Sequence, residues 1–455
     1  MTTDESTTVV HTAAPRGHLL RVLGVVFGLS VIIGSVIGMG ILRTPGEVAA
    51  QLPDARLFLG AWLLGGLYAL LGTISVAELG TMIPRSGGFY VFARRALGEY
   101  PGFVIGWSDW LSTCGTVAAI AVVISEYVGV LVPRLAARPV LVALGVTIAL
   151  ALLQLRSVRW GARTQELTSF VKTLAFAALI AACFVYGGQG TNVTTAPTPS
   201  VPHGLAFVPA LVLALQGIIY TYDGWYGTIY FGEEVRDSAR NIPRAMLGGV
   251  LLVISIYLLL NVALIYVLPM NQLAGAKLAV GTAAESIFGV RGGLIISALA
   301  TVSMLAALNA NTMTAPRILF AMSRDGLGWV RAADVNEGGT PAVALLLSTL
   351  VALAMIAFSG TFERVLAALA FFFVTNYMVA FLAVFVLRRR EPDMPRPYRA
   401  WGYPYTTGAV LIGSVAFLVG AIASDTQNSL YALALLAVSY PAFLLLRQRG
   451  TKEAA

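Results

Sequence analysis

The stretch Ile33-Gly34-Ser35-Val36-Ile37-Gly38-Met39-Gly40-Ile41-Leu42 decides the fold of this chain, because it puts three glycines inside the first apolar segment. Glycine in a helix interior costs about 1 kcal/mol relative to alanine, so the run favours a break that frees backbone N–H and C=O groups. A second helix-breaking stretch, Thr221-Tyr222-Asp223-Gly224-Trp225, interrupts a later segment. Two such breaks in corresponding positions indicate a transporter with a midplane substrate site. The alternative explanations are that glycine is common in membrane helices and that Gly34-Ser35-Val36-Ile37-Gly38 fits a small-xxx-small packing pattern.

The composition is that of an all-α integral membrane protein. The 455 residues are 58% hydrophobic and 11% charged, and the mean hydropathy is +0.80. Windows of roughly 20 apolar residues, the length that crosses about 30 Å of hydrocarbon, recur about twelve times. They lie near 19–52 (broken), 57–82, 100–131, 138–154, 165–186, 205–232 (broken), 245–268, 293–320, 341–358, 364–387, 407–423 and 429–446.

The order of these spans predicts an internal repeat. Spans one and six are the broken ones, and they run in opposite directions because five is odd, which gives a 5+5 inverted repeat. The predicted segments are a cytoplasmic tail (1–18), a first five-helix repeat (19–186), a second five-helix repeat (204–390), two further helices (404–446) and a second cytoplasmic tail (447–455).

The basic residues predict the orientation. The formal charge is +8, and with a cytoplasmic N-terminus roughly 22 of the 30 Lys and Arg fall on the cytoplasmic side, against about 7 on the other. This distribution is a topology signal rather than a nucleic-acid-binding patch. Residues 1–18 lack the apolar region and cleavage site of a signal peptide. We therefore expect a multi-pass protein of the inner (cytoplasmic) membrane with both termini inside.

The sequence contains no catalytic pattern that competes with transport. Its histidines, His11, His18 and His203, lie in tails or loops, and no HExxH, GxSxG, P-loop or CxxC motif occurs. Cys114 and Cys183 lie within predicted spans, so no disulfide framework is indicated. The sequence predicts neither an enzyme nor a bound metal or cofactor.

A broken helix presents N–H donors at the start of its second half and carbonyls at the end of its first half, which suits the two charges of an amino acid. We expect the N–H groups of Met39, Gly40 and Ile41 to receive the carboxylate. Carbonyls near Ile37, Tyr220 and Thr221 are then expected to accept from the ammonium group. The predicted substrate-binding residues are Ile37, Gly38, Met39, Gly40, Ile41, Tyr220, Thr221 and Asp223.

Several charged residues carry alternative interpretations. Asp223 is either a partner for the substrate ammonium or a cap for a half-helix beginning at Gly224. Lys172, the one lysine within a predicted span, must bind carbonyls or carboxylates, serve as a proton site, or snorkel to the cytoplasmic side. For Asp109 and Glu126, at opposite ends of span three, interfacial solvation or helix packing is a sufficient explanation.

Three further segments have predicted roles. The charged residues after span six are predicted to form a gate-closing ion-pair cluster or a solvated loop: Glu233, Glu234, Arg236, Arg240 and Arg244. Phe89 to Gly98 is predicted to form a short amphipathic helix at the cytoplasmic interface. Residues 271–290 are predicted to contain a lid helix over the outer entrance.

An ordered set of motifs runs from span one to the loop after span ten. They are Val36-Ile37-Gly38-Met39-Gly40-Ile41, Ala77-Glu78-Leu79-Gly80-Thr81-Met82-Ile83 with Ser86-Gly87-Gly88, Ser125-Glu126-Tyr127-Val128, Tyr222-Asp223-Gly224-Trp225 with Glu233-Glu234-Val235, Asn241-Ile242-Pro243-Arg244-Ala245 and Arg396-Pro397-Tyr398. In these motifs the chain resembles the amino acid–polyamine–organocation (APC) superfamily, and within it the L-type amino acid transporter (LAT) branch.

The resemblance implies a LeuT/APC-type fold with 12 transmembrane helices, helices 1 and 6 unwound at mid-membrane, and a pocket between spans one, three, six and eight. Met39 stands where the family has the serine of Gly-Ser-Gly, so a backbone donor remains but a hydroxyl contact is lost. Tyr220 takes the place of the aromatic gate that shields the substrate, and Lys172 that of the fifth-span lysine that replaces sodium. The outer loop 132–139 lacks the cysteine that links a heavy chain, so no disulfide-linked partner is expected.

These features predict an amino acid transporter that works by alternating access, as a sodium-independent exchanger or facilitator of L-amino acids. Its expected partners are an amino acid substrate and membrane lipid. A proton-coupled amino acid, amine or polyamine permease is the second hypothesis. A membrane sensor that binds amino acids without moving them is the third.

Overall fold

A computed structural model describes residues 17–188, 200–358 and 362–424, with a few further residues between 439 and 446. This part of the chain is helical and contains no strand beyond two isolated bridges. The helices are α1 (Val25–Val36), α2 (Gly40–Gln51), α3 (Ala55–Met82), α4 (Phe89–Leu97), α5 (Glu99–Leu131), α6 (Pro139–Arg156), α7 (Val158–Tyr186), α8 (Phe207–Thr221), α9 (Ser238–Val267), α10 (Met270–Leu273), α11 (Ala279–Phe288), α12 (Gly292–Arg324), α13 (Ala342–Phe358), α14 (Phe362–Arg390) and α15 (Tyr405–Ser424). Short 3-10 helices are Pro133–Leu135, Gly204–Ala206, Gly227–Tyr230, Gly289–Arg291 and Val330–Ala333.

The helix lengths are those of a multi-pass membrane protein. Among the described residues, 6 helices are long and apolar enough to cross a bilayer, or up to 7 if α1 and α2 count as one bent span. Three shorter apolar helices add to them. The predicted span 429–446 falls almost wholly outside the described residues, as do the tails 1–18 and 447–455.

Both predicted breaks coincide with helix ends. Helix α1 ends at Val36, α2 begins at Gly40, and their axes are bent by 47°. Helix α8 ends at Thr221, where the sequence predicts the second break. The predicted half-helix beginning at Gly224 is wrong, because the chain continues there through turns into a 3-10 helix. Gly224 has φ +102°, and a Cβ there would lie 2.7 Å from the Ser35 side chain, so this turn requires glycine.

The two predicted accessory segments are helical. Phe89–Leu97 forms α4, although most of its apolar residues are buried against neighbouring helices. The segment 271–290 contains α11, which packs against α2 and α12. Its preceding loop is fixed to α2, because the Gly275 N–H donates to the Gly46 carbonyl at 2.8 Å. The role of this segment as a lid remains a prediction.

Candidate substrate site

A cavity of about 480 Å³ lies between the two breaks. Its walls come from α1 and α2, α5, α8 with the turn after it, α12 and α14. The lining residues are Ser35, Val36, Gly38, Met39, Gly40, Arg43, Thr44, Glu47, Thr113, Thr116, Ala119, Ile120, Val123, Tyr220, Thr221, Asp223, Gly224, Tyr226, Gly227, Tyr230, Met304, Ala307, Asn311, Thr314 and Phe373. These elements correspond to the predicted spans one, three, six and eight, with one residue from span ten.

Most of the predicted substrate-binding residues line this cavity. They are Gly38, Met39, Gly40, Tyr220, Thr221 and Asp223. Ile37 and Ile41 do not line it, and both are fully buried in the core. Their side chains therefore serve packing in this structure, and only their backbone groups remain relevant to the predicted roles.

The start of α2 presents backbone donors at the cavity. Met39 precedes the helix, and no side chain in the described part of the protein caps this N-terminus. Unpaired N–H groups at a helix N-terminus, with the positive end of the helix dipole, form a site for an anion. At Gly38 the atom nearest to an added Cβ would be Met304 Cε at 3.7 Å, whereas at Gly40 Thr221 Oγ1 would be at 2.9 Å. Gly38 thus has room for a methyl group, and Gly40 allows α2 and α8 to touch.

Lys172 binds the broken end of α1. Its Nζ donates to the carbonyls of Gly34 at 2.9 Å and Ile37 at 2.5 Å. The side chain is 1% exposed, so it does not snorkel to solvent. The Ile37 carbonyl also accepts from the Ser303 hydroxyl at 2.9 Å. Both lone pairs of that oxygen are therefore engaged, which leaves none for a substrate ammonium group.

Tyr257 of α9 connects the two breaks, a role that the sequence alone does not predict. Its Oη lies 2.8 Å from the Val36 carbonyl and 3.1 Å from the Thr221 carbonyl, which are the last residues of α1 and α8. The Thr221 hydroxyl also donates to the Thr44 hydroxyl of α2 at 2.8 Å. The signal in the sequence is weak, because the Tyr257 hydroxyl is one of several polar groups in the apolar part of α9, together with Ser255, Asn261 and Tyr266.

Asp223 supports the turn and faces the cavity at the same time. Its carboxylate accepts from the Tyr226 hydroxyl at 3.1 Å. The Tyr220 carbonyl accepts from the Asp223 N–H at 3.1 Å and keeps a second lone pair. Acceptor oxygens and first-turn N–H donors thus face the same cavity.

The structure buries Asp109, and interfacial solvation, one of its two predicted explanations, is wrong. Asp109 lies well inside α5 and is 1% exposed. It accepts from the Tyr230 hydroxyl at 2.9 and 3.1 Å and from Asn376 Nδ2 at 3.2 Å. Tyr230 is itself a lining residue of the cavity. Glu126, by contrast, is exposed near the other end of the helix.

Ion pairs close the end of the bundle that lies beyond span six. Arg317 of α12 makes a fully buried bidentate pair with Glu234, with N···O distances of 2.7 and 2.8 Å. Arg324 pairs with Glu233 at 2.8 Å. Asp325 pairs with Arg85 and Arg94, at 3.1 and 2.7 Å respectively.

The predicted ion-pair cluster is therefore partly different from the observed one. Glu233 and Glu234 are paired, but their partners come from α12. Of the three arginines in the predicted cluster, Arg240 reaches only the exposed Asp237 at 3.9 Å. Arg236 and Arg244 make no ion pair within the described residues. Partners from a distant helix could not be identified from local spacing.

An all-helical membrane protein with a cavity between two helix breaks belongs to the class of secondary transporters. Residues 23–440 match the family described as amino acid permease, and the chain belongs to this family. It is thus an APC-superfamily amino acid transporter and not an enzyme, as predicted.

The relatives support the same assignment. The serine/threonine exchanger SteT of Bacillus subtilis (strain 168) is 31% identical over 418 residues, covering 90% of this chain and 93% of SteT. The Asc-type amino acid transporter 1 of Mus musculus is 30% identical over 403 residues, 85% of this chain and 74% of the relative. The large neutral amino acids transporter small subunit 2 of Oryctolagus cuniculus is 30% identical over 390 residues, 84% and 72% respectively. The predicted resemblance to the LAT branch is confirmed.

Proposed function

We propose that the protein is a sodium-independent exchanger or facilitator of L-amino acids, which works by alternating access in the cytoplasmic membrane with both termini inside. The observation that carries this proposal is the cavity between the two breaks. The proposed architecture is the 12-helix, 5+5 inverted repeat, with repeats over 19–186 and 204–390, two further helices over 404–446, and the broken helices 1 and 6 at mid-membrane.

In the proposed binding mode, the substrate carboxylate accepts from the N–H groups of Met39, Gly40 and Ile41. The ammonium group donates to the carbonyl of Tyr220 and to the Asp223 carboxylate, while the carbonyls of Ile37 and Thr221 stay engaged with protein donors. These contacts read only the α-amino acid core. The side chain is then read by other residues of the cavity.

The walls that α5 and α12 form favour a small, uncharged side chain. Polar side chains of α5 and α12 provide hydroxyl and amide partners: Thr113, Thr116, Asn311 and Thr314. Met39, Ile120 and Met304 fill part of the space with apolar groups. The relatives are named for serine and threonine exchange or for amino acid transport. We therefore propose L-serine and L-threonine as the first substrates to test.

Gating is proposed to occur on both sides of the cavity. Glu47 lines the cavity and is exposed, which is consistent with an opening on that side. We assign this opening to the outer face, with Tyr220 as the aromatic residue that closes over bound substrate. The ion pairs of Glu233 and Glu234 close the cytoplasmic side. The structure would then represent an outward-facing state. We also propose that no disulfide-linked partner chain is needed for transport.

Transport by the purified protein in liposomes tests this function. We expect labelled L-serine to enter liposomes loaded with unlabelled L-serine faster than it enters empty ones, or at the same rate if the protein is a facilitator. Replacing sodium by choline should leave the rate unchanged. A strict sodium requirement would contradict the proposal. Binding of L-serine, L-threonine and other L-amino acids without flux would indicate a sensor instead.

A further inference from the structure

Asp109 is a buried acidic group that the proposed substrate contacts do not use. Its side chain is enclosed by α5, α14 and the turn after α8. No Lys or Arg in the described part of the protein makes an ion pair with it. An ionised carboxylate without a cation costs several kcal/mol in such a place, whereas the protonated form carries no such cost.

The groups around Asp109 do not supply a counter-charge. The turn after α8 contributes Asp223, Tyr226 and Tyr230, of which the first adds a like charge. Helix α14 contributes the Asn376 amide to Asp109, and its Tyr377 ring packs against the Tyr226 ring with 5.3 Å between the centroids.

The arginines on two helices that pack against α5 form ion pairs with other acids. Arg317 on α12 is engaged by Glu234, and Arg94 on α4 by Asp325. On α13, the uncharged Ser348 contacts Trp110, the residue after Asp109. The carboxyl therefore faces hydroxyl groups, an amide and a second acid.

Asn376 can serve both protonation states of this carboxyl. Its Nδ2 donates to Asp109 Oδ1 at 3.2 Å, as a carboxylate requires. Its Oδ1 is buried and has no hydrogen-bond partner among the residues that the structure describes. Because an amide carries a donor and an acceptor on the same plane, rotating it by half a turn would let that oxygen accept the proton of a carboxylic acid. A buried acceptor without a partner beside a carboxyl is explained by a proton that comes and goes.

Tyr230 links the carboxyl to the cavity. It donates to both carboxylate oxygens and also lines the cavity wall. It lies at the end of Gly227–Tyr230, in the segment that continues from the second break, whereas Asp109 belongs to the continuous helix α5. Alternating access requires broken helices to move against their neighbours, so this movement would change the hydrogen bonds on which the charged carboxyl depends.

We propose that Asp109 is a proton-binding site, and that its proton passes by way of the Tyr230 hydroxyl and the cavity as the segment 222–230 moves. An external proton binds the carboxylate, an O–H bond forms, and the same proton is released to water on the inner side. Amino acid and proton then move in the same direction. This inference rests on the proposed transport function: net uptake into empty liposomes becomes coupled to a proton, whereas exchange of external for internal amino acid needs no net proton movement.

Liposomes that contain a pH-sensitive dye test the proposal. On addition of external L-serine to empty liposomes, we expect the wild type to acidify the lumen. Asp109→Asn should abolish this acidification but still exchange labelled for internal L-serine. Glu126→Gln, a matched carboxyl-to-amide change on the exposed end of the same helix, should acidify the lumen like the wild type. Tyr230→Phe retains the carboxyl and should shift the pH dependence of acidification without abolishing it.

The outcomes separate the two proposals. If L-serine exchanges but wild-type protein moves no protons, or if Asp109→Asn moves protons as the wild type does, the proton site is refuted and the transport function stands. If no amino acid is transported, the function proposed above fails. Should Asp109→Asn not fold, infrared difference spectra of the wild type across pH provide a second test. Tyr230→Phe should then shift the pH at which the carbonyl band of a protonated carboxyl appears, and an absent band would overturn the proposal.

Discussion

At the scale of single residues, the proposed carboxylate site depends on backbone N–H groups at the first break that no side chain covers. An added Cβ at Gly38 meets no atom closer than 3.7 Å, so Gly38→Ala should fold normally while placing a methyl group in the cavity. We expect it to weaken apparent affinity for L-serine by about tenfold, because about 1.4 kcal/mol of binding free energy is enough for that change. Counterflow in liposomes measures this.

Two other glycines provide comparisons for Gly38→Ala. Gly60 has nothing within 4 Å of an added Cβ, so Gly60→Ala should leave affinity unchanged. Gly40→Val pushes against Thr221 and should eliminate substrate binding while the protein still folds in detergent. Normal affinity in Gly38→Ala and Gly40→Val would exclude carboxylate binding at this break.

Lys172 is predicted to replace a metal ion by holding two freed carbonyls. Lys172→Met removes the ammonium group from the carbonyls of Gly34 and Ile37, of which Ile37 keeps the Ser303 hydroxyl as a donor, and a hydrogen bond to a charged group contributes about 1.5–3 kcal/mol. We expect transport of L-serine to be nearly lost. Ser303→Ala removes one neutral donor from the same Ile37 carbonyl and should have a smaller effect. Robust transport by Lys172→Met would show that the lysine is dispensable for the cycle.

The sequence predicts the roles of two kinds of residue. The first kind changes the backbone locally, and the second carries a charge whose burial in a membrane costs free energy in any fold. Gly38 and Gly40 change the backbone where they stand, and a lysine within an apolar span requires partners whatever the fold. The burial of Asp109 could not be predicted in this way. It depends on Tyr230 and Asn376, which are distant in the sequence.

At the scale of elements, the Tyr257 hydroxyl should fix the end of α1 relative to the end of α8. Tyr257→Phe removes one buried hydroxyl and leaves the carbonyls of Val36 and Thr221 without that donor. We expect a loss of stability of about 1–3 kcal/mol and a lower exchange rate. Thermal unfolding in detergent and L-serine exchange measure these effects. Tyr266→Phe on the exposed face of the same helix is the control and should change neither.

In the described part of the chain the helix ends lie within four residues of the predicted bounds, except that α1 begins six residues later, α7 and α9 begin seven residues earlier, and the second half of span six is not an α-helix. Long apolar runs determine where helices cross a membrane, and glycine determines where they break. The path of the chain beyond a break depends on distant contacts instead. Beyond Thr221 the chain packs against Ser35 and Val31 of α1, and these contacts accommodate turns in place of an α-helix.

At the scale of the whole molecule, the buried pair of Arg317 and Glu234 should decide which side of the cavity is closed. Removing one partner of a buried ion pair leaves an uncompensated charge and costs about 3–5 kcal/mol, whereas a partly exposed pair such as Arg324 with Glu233 is worth about 0–1 kcal/mol. Glu234→Gln should therefore shift the population of the protein from the outward-facing to the inward-facing state. Glu233→Gln should have little effect on this population.

Cysteine labelling measures that shift. Ser35→Cys introduces a thiol that lines the cavity, and Cys114 and Cys183 are buried. In the background of Ser35→Cys, an impermeant thiol reagent added outside should label the cavity readily. Adding Glu234→Gln should reduce this labelling several-fold, because the outward-facing population falls when its closing pair is broken. Equal labelling of the Glu234→Gln and Glu233→Gln proteins would mean that the buried pair holds the fold together without controlling access.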